Sequence, residues 1–193
     1  MQIRTVTGAD IADLNELFDS NSATRGCRCM WFVLSNREVQ GGWGAGNRDR
    51  LTSLAAGSAE PVGVLAYDDR PVGWCAVGPR ARYTRALRSP ILAGHDPAED
   101  DRVWLVPCFF VRVGHRRAGL TEELLTAAVE VARQHGATAV EGFPLAGAGP
   151  HRSDRYLGSE PLFAACGFTE VTRPSPRRVV MRHELSPDRP TAG

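Results

Sequence analysis

The sequence contains no lysine. All 23 basic residues among its 193 are arginine, which excludes chemistry built on a lysine Schiff base or a P-loop lysine. Arginine without lysine, beside 20 glycines, fits a GC-rich coding bias such as that of an actinobacterial genome. A basic excess is also missing. With 22 acidic residues the net charge is +1, too even for a chain whose main task is to coat nucleic acid or an anionic membrane. No apolar run approaches bilayer-spanning length, and Met1-Gln2-Ile3-Arg4-Thr5 lacks the apolar core of a signal peptide. A cytoplasmic, bacterial protein is the expectation. The cysteines Cys27, Cys29, Cys75, Cys108 and Cys166 form an odd set, which reads as reduced thiols. Cys27-x-Cys29 has no second Cys or His pair at zinc-ligand spacing, so packing is expected there and no metal.

At 42% hydrophobic and 23% charged residues, the chain can bury a core, and its length suits one domain. Residues 2–6 read as a strand, and Thr7-x-x-Asp10 as a capping box opening a helix through about Ser20. A short second helix is expected around Cys29 to Leu34, a glycine-rich loop at Gln40 to Gly46, and a helix from Arg48 to Ala56. A hairpin follows, Val62 to Tyr67 and Pro71 to Val77, turned at Asp68-Asp69-Arg70. From Gly78 to Asp101 apolar periodicity almost vanishes. This long segment is expected to be functional or mobile; Arg80, Arg82, Tyr83, Arg85 and Arg88 form an Arg-rich rim that could meet an anionic group, with most of these arginines expected to be solvated instead.

The centre is clearer. Val103 to Val111 is an apolar, β-branched and aromatic strand, with Pro107 marking an edge or a bulge. After Gly114-His115 comes Arg116-Arg117-Ala118-Gly119-Leu120-Thr121, then apolar residues at helical spacing from Leu124 to Ala132, stopped at Gly136. A second strand, Ala137 to Phe143, completes a βαβ unit whose strands lie parallel. A short helix (Glu160 to Cys166) and an antiparallel pair (Phe168 to Arg173, Arg178 to Leu185) end the domain, expected to span 1–185. Residues 186–193 read as a disordered tail.

A strand feeding a basic, glycine-containing turn that opens a helix suits a phosphate. The backbone N–H groups of Arg117 to Thr121 start the helix without acceptors. Gly119 permits close approach, and Arg116 and Arg117 add charge-assisted contacts. An ordinary strand-to-helix turn with two surface arginines is the alternative.

This turn, the order of elements, Phe163-Ala164-Ala165-Cys166-Gly167-Phe168 and Pro71-Val72-Gly73-Trp74-Cys75-Ala76 together resemble the GNAT superfamily of acyl-CoA-dependent N-acetyltransferases. The family's cofactor loop has Arg or Gln, two variable residues, Gly, one variable residue, then Gly or Ala. Residues 116–121 match except at Thr121. The resemblance implies one α/β domain with a mixed sheet of six or seven strands, splayed at the βαβ unit, and helices on both faces. It implies acetyl-CoA with its pyrophosphate on Arg116, Arg117, Ala118, Gly119, Leu120 and Thr121, and its pantetheine bonded to the backbone of Val111 and Val113. A primary amine, expected to be a small molecule's, attacks the thioester directly; a protein or N-terminal substrate, or a non-catalytic acyl-CoA-binding module, are the alternatives. Monomer and homodimer both remain open. Relatives place a tyrosine acid where this chain has Phe163. Tyr156 is then the candidate acid, or else packs against the pantetheine. Glu141, acidic within an apolar strand, is the candidate base, or else a strand-end carboxylate bonded to arginine. Trp31, Phe32 and Trp43 fall where relatives build the acceptor wall, with core packing the alternative for Trp31.

Overall fold

The structure is a computed structural model and describes residues 1–147 and 155–185. The expected tail at 186–193 lies outside the described residues. Seven strands form one sheet in the order β1-β2-β3-β4-β5-β7-β6: β1 Gln2–Val6, β2 Gly63–Asp68, β3 Arg70–Pro79, β4 Val103–Val111, β5 Ala139–Gly142, β6 Thr169–Ser175 and β7 Arg178–Glu184. Only the central β4–β5 pair is parallel; the others are antiparallel. The helix between β4 and β5, Leu120–Gln134, is α6 in a chain order that runs α1 Ile11–Asp19, α2 Ser22–Cys27, α3 Asn36–Gly41, α4 Ala45–Gly57, α5 Thr84–Leu87, α6 and α7 Glu160–Ala165.

Alternation along the strands sends side chains into separate cores. Val106, Phe109, Val140 and Val179 pack with α6 and Phe163 of α7. On the opposite face Leu65, Trp74 and Phe110 pack with α1 and α4. Farther along that face, Leu105, Phe143 and Val180 meet Tyr83, Ala86 and Leu92 of the 79–101 segment. The capping box at Thr7 and Asp10 forms as expected, opening a single 3-10 turn that leads into α1.

The register explains how the sheet opens. Ala76 pairs with Cys108 but Gly78 pairs with Leu105, so β4 bulges at Val106-Pro107. A proline without an N–H sits where the ladder is already interrupted. β4 pairs with β5 only over Val103–Val106 against Ala139–Gly142. Beyond Pro107 the two strands part, and β4 continues alone on that side to Val111. Gly142 lies at the parting point, where a Cβ would come within 2.3 Å of the Phe163 ring; only glycine admits that ring.

Four expectations need correction. The second helix is displaced: α2 ends at Cys27, Arg28 and Cys29 take left-handed backbone (φ 52° and 56°), and only a 3-10 turn follows at Met30–Phe32. Residues 40–46 are not one loop, because α3 runs to Gly41 and α4 begins at Ala45. Asn47 makes this compact: its buried side-chain amide donates to the carbonyls of Gly26 and Val39, both at 3.0 Å. The 78–101 stretch is built from α5 and 3-10 turns at 80–82, 90–92 and 97–99. Nor are its arginines mainly solvated. Arg80 is 1% exposed, Arg82 donates to the carbonyls of Pro61 and Val77, and Arg85 lies over the Trp31 ring. Arg88 is exposed, as expected.

Candidate active site

The turn after β4 is shaped by three left-handed residues: Gly114 (φ 99°), Arg117 (φ 66°) and Gly119 (φ 79°). Alternating such residues with ordinary ones points successive N–H groups to one side, a concavity suited to an anion. Among the described residues, the N–H groups of residues 116–121 find no hydrogen-bond acceptor, whereas His115 N–H is bonded to the Arg112 carbonyl. Arg116, Arg117, Ala118 and Gly119 are exposed. Leu120 turns its side chain into the core at 2% exposure, so α6 is anchored while its first N–H groups face outward. Gly119 is the N-cap of α6, and its positive φ, strained for any other residue, lets the helix start there. Thr121, half-buried, stands in the first turn.

Arg116 also clasps the strand: its Nε donates to the Val111 carbonyl at 2.9 Å. Val111 is half-buried and Val113 is 74% exposed. The free flank of β4 and the anion cradle are therefore continuous, separated only by residues 112–115.

Against that flank lies the turn Arg155–Leu157. Leu157 and Gly158 fix it to the sheet; Leu157 is buried, and the Gly158 carbonyl accepts from Leu145 N–H. Half-buried Tyr156 stacks at a tilt on Phe110, ring centroids 6.4 Å apart. Phe163 has no exposure and fills the core between Gly142, Phe109 and Phe168. Phe163 belongs to the core on the α6 face, whereas the Tyr156 phenol packs on the opposite core, against Phe110 of β4.

Glu141 is placed otherwise. Its Oε2 accepts from Arg80 Nη1 at 2.9 Å and its Oε1 from Arg182 Nη1 at 3.1 Å. Arg80 further donates to Asp100 (2.7 Å) and the Asp96 carbonyl, while Arg182 reaches Glu99 and Glu184. The Arg182 hydrogen bond holds the Glu99 carboxyl below the usual carboxylate range. Both oxygens of Glu141 are engaged by guanidinium groups, so the strand carboxylate serves an ion network tying segment 79–101 to β5 and β7.

Sequence reading also missed a thiol pair. Trp74 Nε1 donates to Cys29 Sγ (3.0 Å), and Cys29 donates to Cys108 Sγ (3.3 Å), just past the bulge. The Cys108 contact and burial push the Cys29 thiol well above its ordinary value, which speaks against Cys29 as a nucleophile. No spacing signal could have found a pair 79 residues apart. Of the expected acceptor wall, Trp31 packs on the same core as this pair, and Phe32 packs on the neighbouring one against Phe143. Trp43 does not: it is 49% exposed and covers Gly26 of α2. Among the described residues no cluster of His, Cys, Asp or Glu could hold a metal ion, and no helix is long and apolar enough to cross a membrane.

An antiparallel sheet with one parallel pair, splayed beside a helix-start anion cradle, is the architecture of an acyl-CoA-dependent acetyltransferase. The family model for the acetyltransferase (GNAT) family matches residues 22–146, and the chain belongs to that family. Solved structures agree on the fold. A ribosomal-protein-alanine N-acetyltransferase from Brucella melitensis is 17% identical with a TM-score of 0.55, the match covering 96% of this chain and 100% of that one. A putative acetyltransferase, yncA, from Salmonella typhimurium, determined with its cofactor acetyl-CoA, is 15% identical with a TM-score of 0.57, covering 99% and 96%. A Listeria monocytogenes GNAT-family acetyltransferase is 11% identical with a TM-score of 0.58, covering 95% and 94%. No curated protein sequence matches the chain. The unpaired N–H groups of 116–121 fit the pyrophosphate of acetyl-CoA, and the free flank of β4 offers backbone to its amide-bearing arm.

Proposed function

We propose that this chain transfers an acetyl group from acetyl-CoA to the primary amine of a small molecule, by direct attack without an acyl-enzyme. Acetyl-CoA supplies the activated thioester. The protein's part is to hold it: residues 116–121 bind the pyrophosphate, and the backbone of Val111 and Val113 aligns the pantetheine. The parting of β4 and β5 beyond Pro107, in line with the unpaired N–H cradle, carries this reading. Tyr156, fixed against Phe110, serves as the acid that protonates the departing thiolate. Glu141, bridged by two guanidinium groups, fixes the wall of the site, and the amine's proton leaves by another route, to water in the simplest case.

The small-molecule acceptor is supported by segment 79–101, which lies across the sheet face beside Trp31 and Phe32. A peptide substrate requires an open groove there. Five free thiols suit a reducing, cytoplasmic setting. The test is release of free CoA thiol from acetyl-CoA against a library of small amines and N-terminal peptides. The expected result is turnover with small amines. Tight acetyl-CoA binding with no turnover on any amine favours a binding module, and turnover confined to peptides favours a protein acetyltransferase.

A further inference from the structure

Among the described residues the covered arginines are provided with acceptors, Arg85 excepted; Arg112 Nε is shielded without a partner too, but its Nη2 donates to Glu16. Arg28 bonds Asp19 and Asn15, Arg80 bonds Asp100 and Glu141, Arg82 bonds carbonyls and Ser58, and Arg182 bonds Glu99 and Glu141. The exception is Arg85 of α5. Its guanidinium carbon stands 3.9 Å from the centroid of the Trp31 ring. Among the described residues no hydrogen bond or ion pair engages it, and its Nη1 is shielded from solvent without any acceptor. A cation held half-buried with an unanswered donor is costly unless something else completes it.

Its position says what could complete it. Two short turns straddle the boundary between the two cores on this sheet face. In one, Met30 joins the first core and Phe32 packs on the second, where it meets Phe143 edge-on at 5.1 Å. In the other, Tyr156 packs on the first and Leu157 joins the second. Phe143 directly follows β5, and Phe110 under Tyr156 belongs to the free part of β4. Both turns therefore stand over the place where β4 and β5 part. Cys29, in contact with Cys108 past the bulge, fixes the first turn there. Thr84 Oγ1 donates to the Val33 carbonyl at 2.7 Å and pins α5 beside it.

We propose that Arg85, stacked on Trp31, is the acceptor anchor, and that the acceptor is a small amine that also bears a carboxylate. The inference rests on the acetyl-transfer reading and names its substrate class. The Trp31 ring stands 3.9 Å from the central carbon of the guanidinium, so an anion approaches from a side that the ring leaves open; the guanidinium fork matches the two oxygens of a carboxylate. Indole stacking spares the guanidinium the entropy of being fixed when the ligand arrives. The phosphate-bearing end of the acyl donor already has its own cradle at residues 116–121, leaving Arg85 for the second substrate. With the carboxylate on Arg85, the amine is left toward Tyr156 and the parted strands.

The experiment compares amino acids with their C-terminal amides and with a phosphorylated amine, reading both turnover and binding in the presence of CoA. For wild type, kcat/KM should favour the free acid over its amide by about 10–100-fold, the range expected for hydrogen bonds to a charged group. In Arg85→Gln that ratio should fall to about 1, with acetyl-CoA affinity and melting temperature unchanged, and Arg85→Lys should restore part of the preference. No binding or turnover of acids in wild type, an acid preference surviving in Arg85→Gln, or preference for the phosphorylated amine would overturn the proposal. Turnover of amines with no discrimination sinks this inference while leaving acetyl transfer intact; no turnover of any amine sinks the transfer reading itself.

Discussion

Tyr156→Phe is expected to lower kcat by about 10²–10⁴-fold, the scale of a positioned general acid, with KM for acetyl-CoA nearly unchanged. The ring would still stack on Phe110 at the same tilt, while the proton donor is removed. Steady-state kinetics over both substrates separate the roles. An interaction made only in the transition state appears in kcat, whereas a wall that packs against bound substrate appears in KM. A raised KM with intact kcat would mark Tyr156 as a pantetheine wall. Full activity would deny it any part in the chemistry.

The largest expected effect on stability is at Arg80. Its guanidinium is 1% exposed and bridges Asp100 and Glu141. Arg80→Met leaves Glu141, itself 5% exposed, with half its partners. Removing one member of a buried ion network costs about 3–5 kcal/mol, which for a chain of this size lowers Tm by about 6–20 °C. The same substitution loosens segment 79–101, and with it α5, so activity at sub-melting temperature should fall as well. Acid should act in the same direction. Glu99, on the rim of this network, has its carboxyl depressed in the folded state by Arg182. Its contribution is complete above the ordinary carboxylate range and fades as pH falls through the depressed value. Urea titration of the variant checks the first claim; a loss under about 1 kcal/mol would mean the network is not holding the segment.

Both predictions rest on parts of the molecule that differ in how legible they were. The βαβ unit could be read because its signals are local: an apolar run at 103–111, a glycine turn, apolar residues at helical spacing, a second apolar run. Pro107 announced its bulge for the same reason, by lacking a donor. The 79–101 segment could not be read, because what folds it is remote. Arg80 and Glu141 are 61 positions apart, and Arg182 and Glu99 83. An arginine destined for burial looks the same in sequence as a solvated one. The 28–34 region was misread because left-handed Arg28 and Cys29 break a helix that its composition favours. At the site itself the cradle followed from chain order and Gly119. Tyr156 is a candidate acid because it is the nearest phenol to Phe163, and Arg85 stands in the sequence only as one of several arginines that could meet an anion. Its lack of a partner is a three-dimensional fact.

The central claim is that residues 116–121 hold the pyrophosphate of acetyl-CoA, and calorimetric titration of acetyl-CoA tests it most directly. Arg117 is the clean probe, since it is exposed and makes no side-chain hydrogen bond among the described residues, whereas Arg116 also clasps Val111. Arg117→Glu should weaken binding by at least about 10-fold, and the Arg116→Glu, Arg117→Glu pair by about 100-fold or more, by loss of charge-assisted contacts. Melting temperatures should stay close to wild type, because the core of α6 begins at Leu120 and faces away. An acetyl-CoA affinity unchanged in the folded double variant would contradict the account.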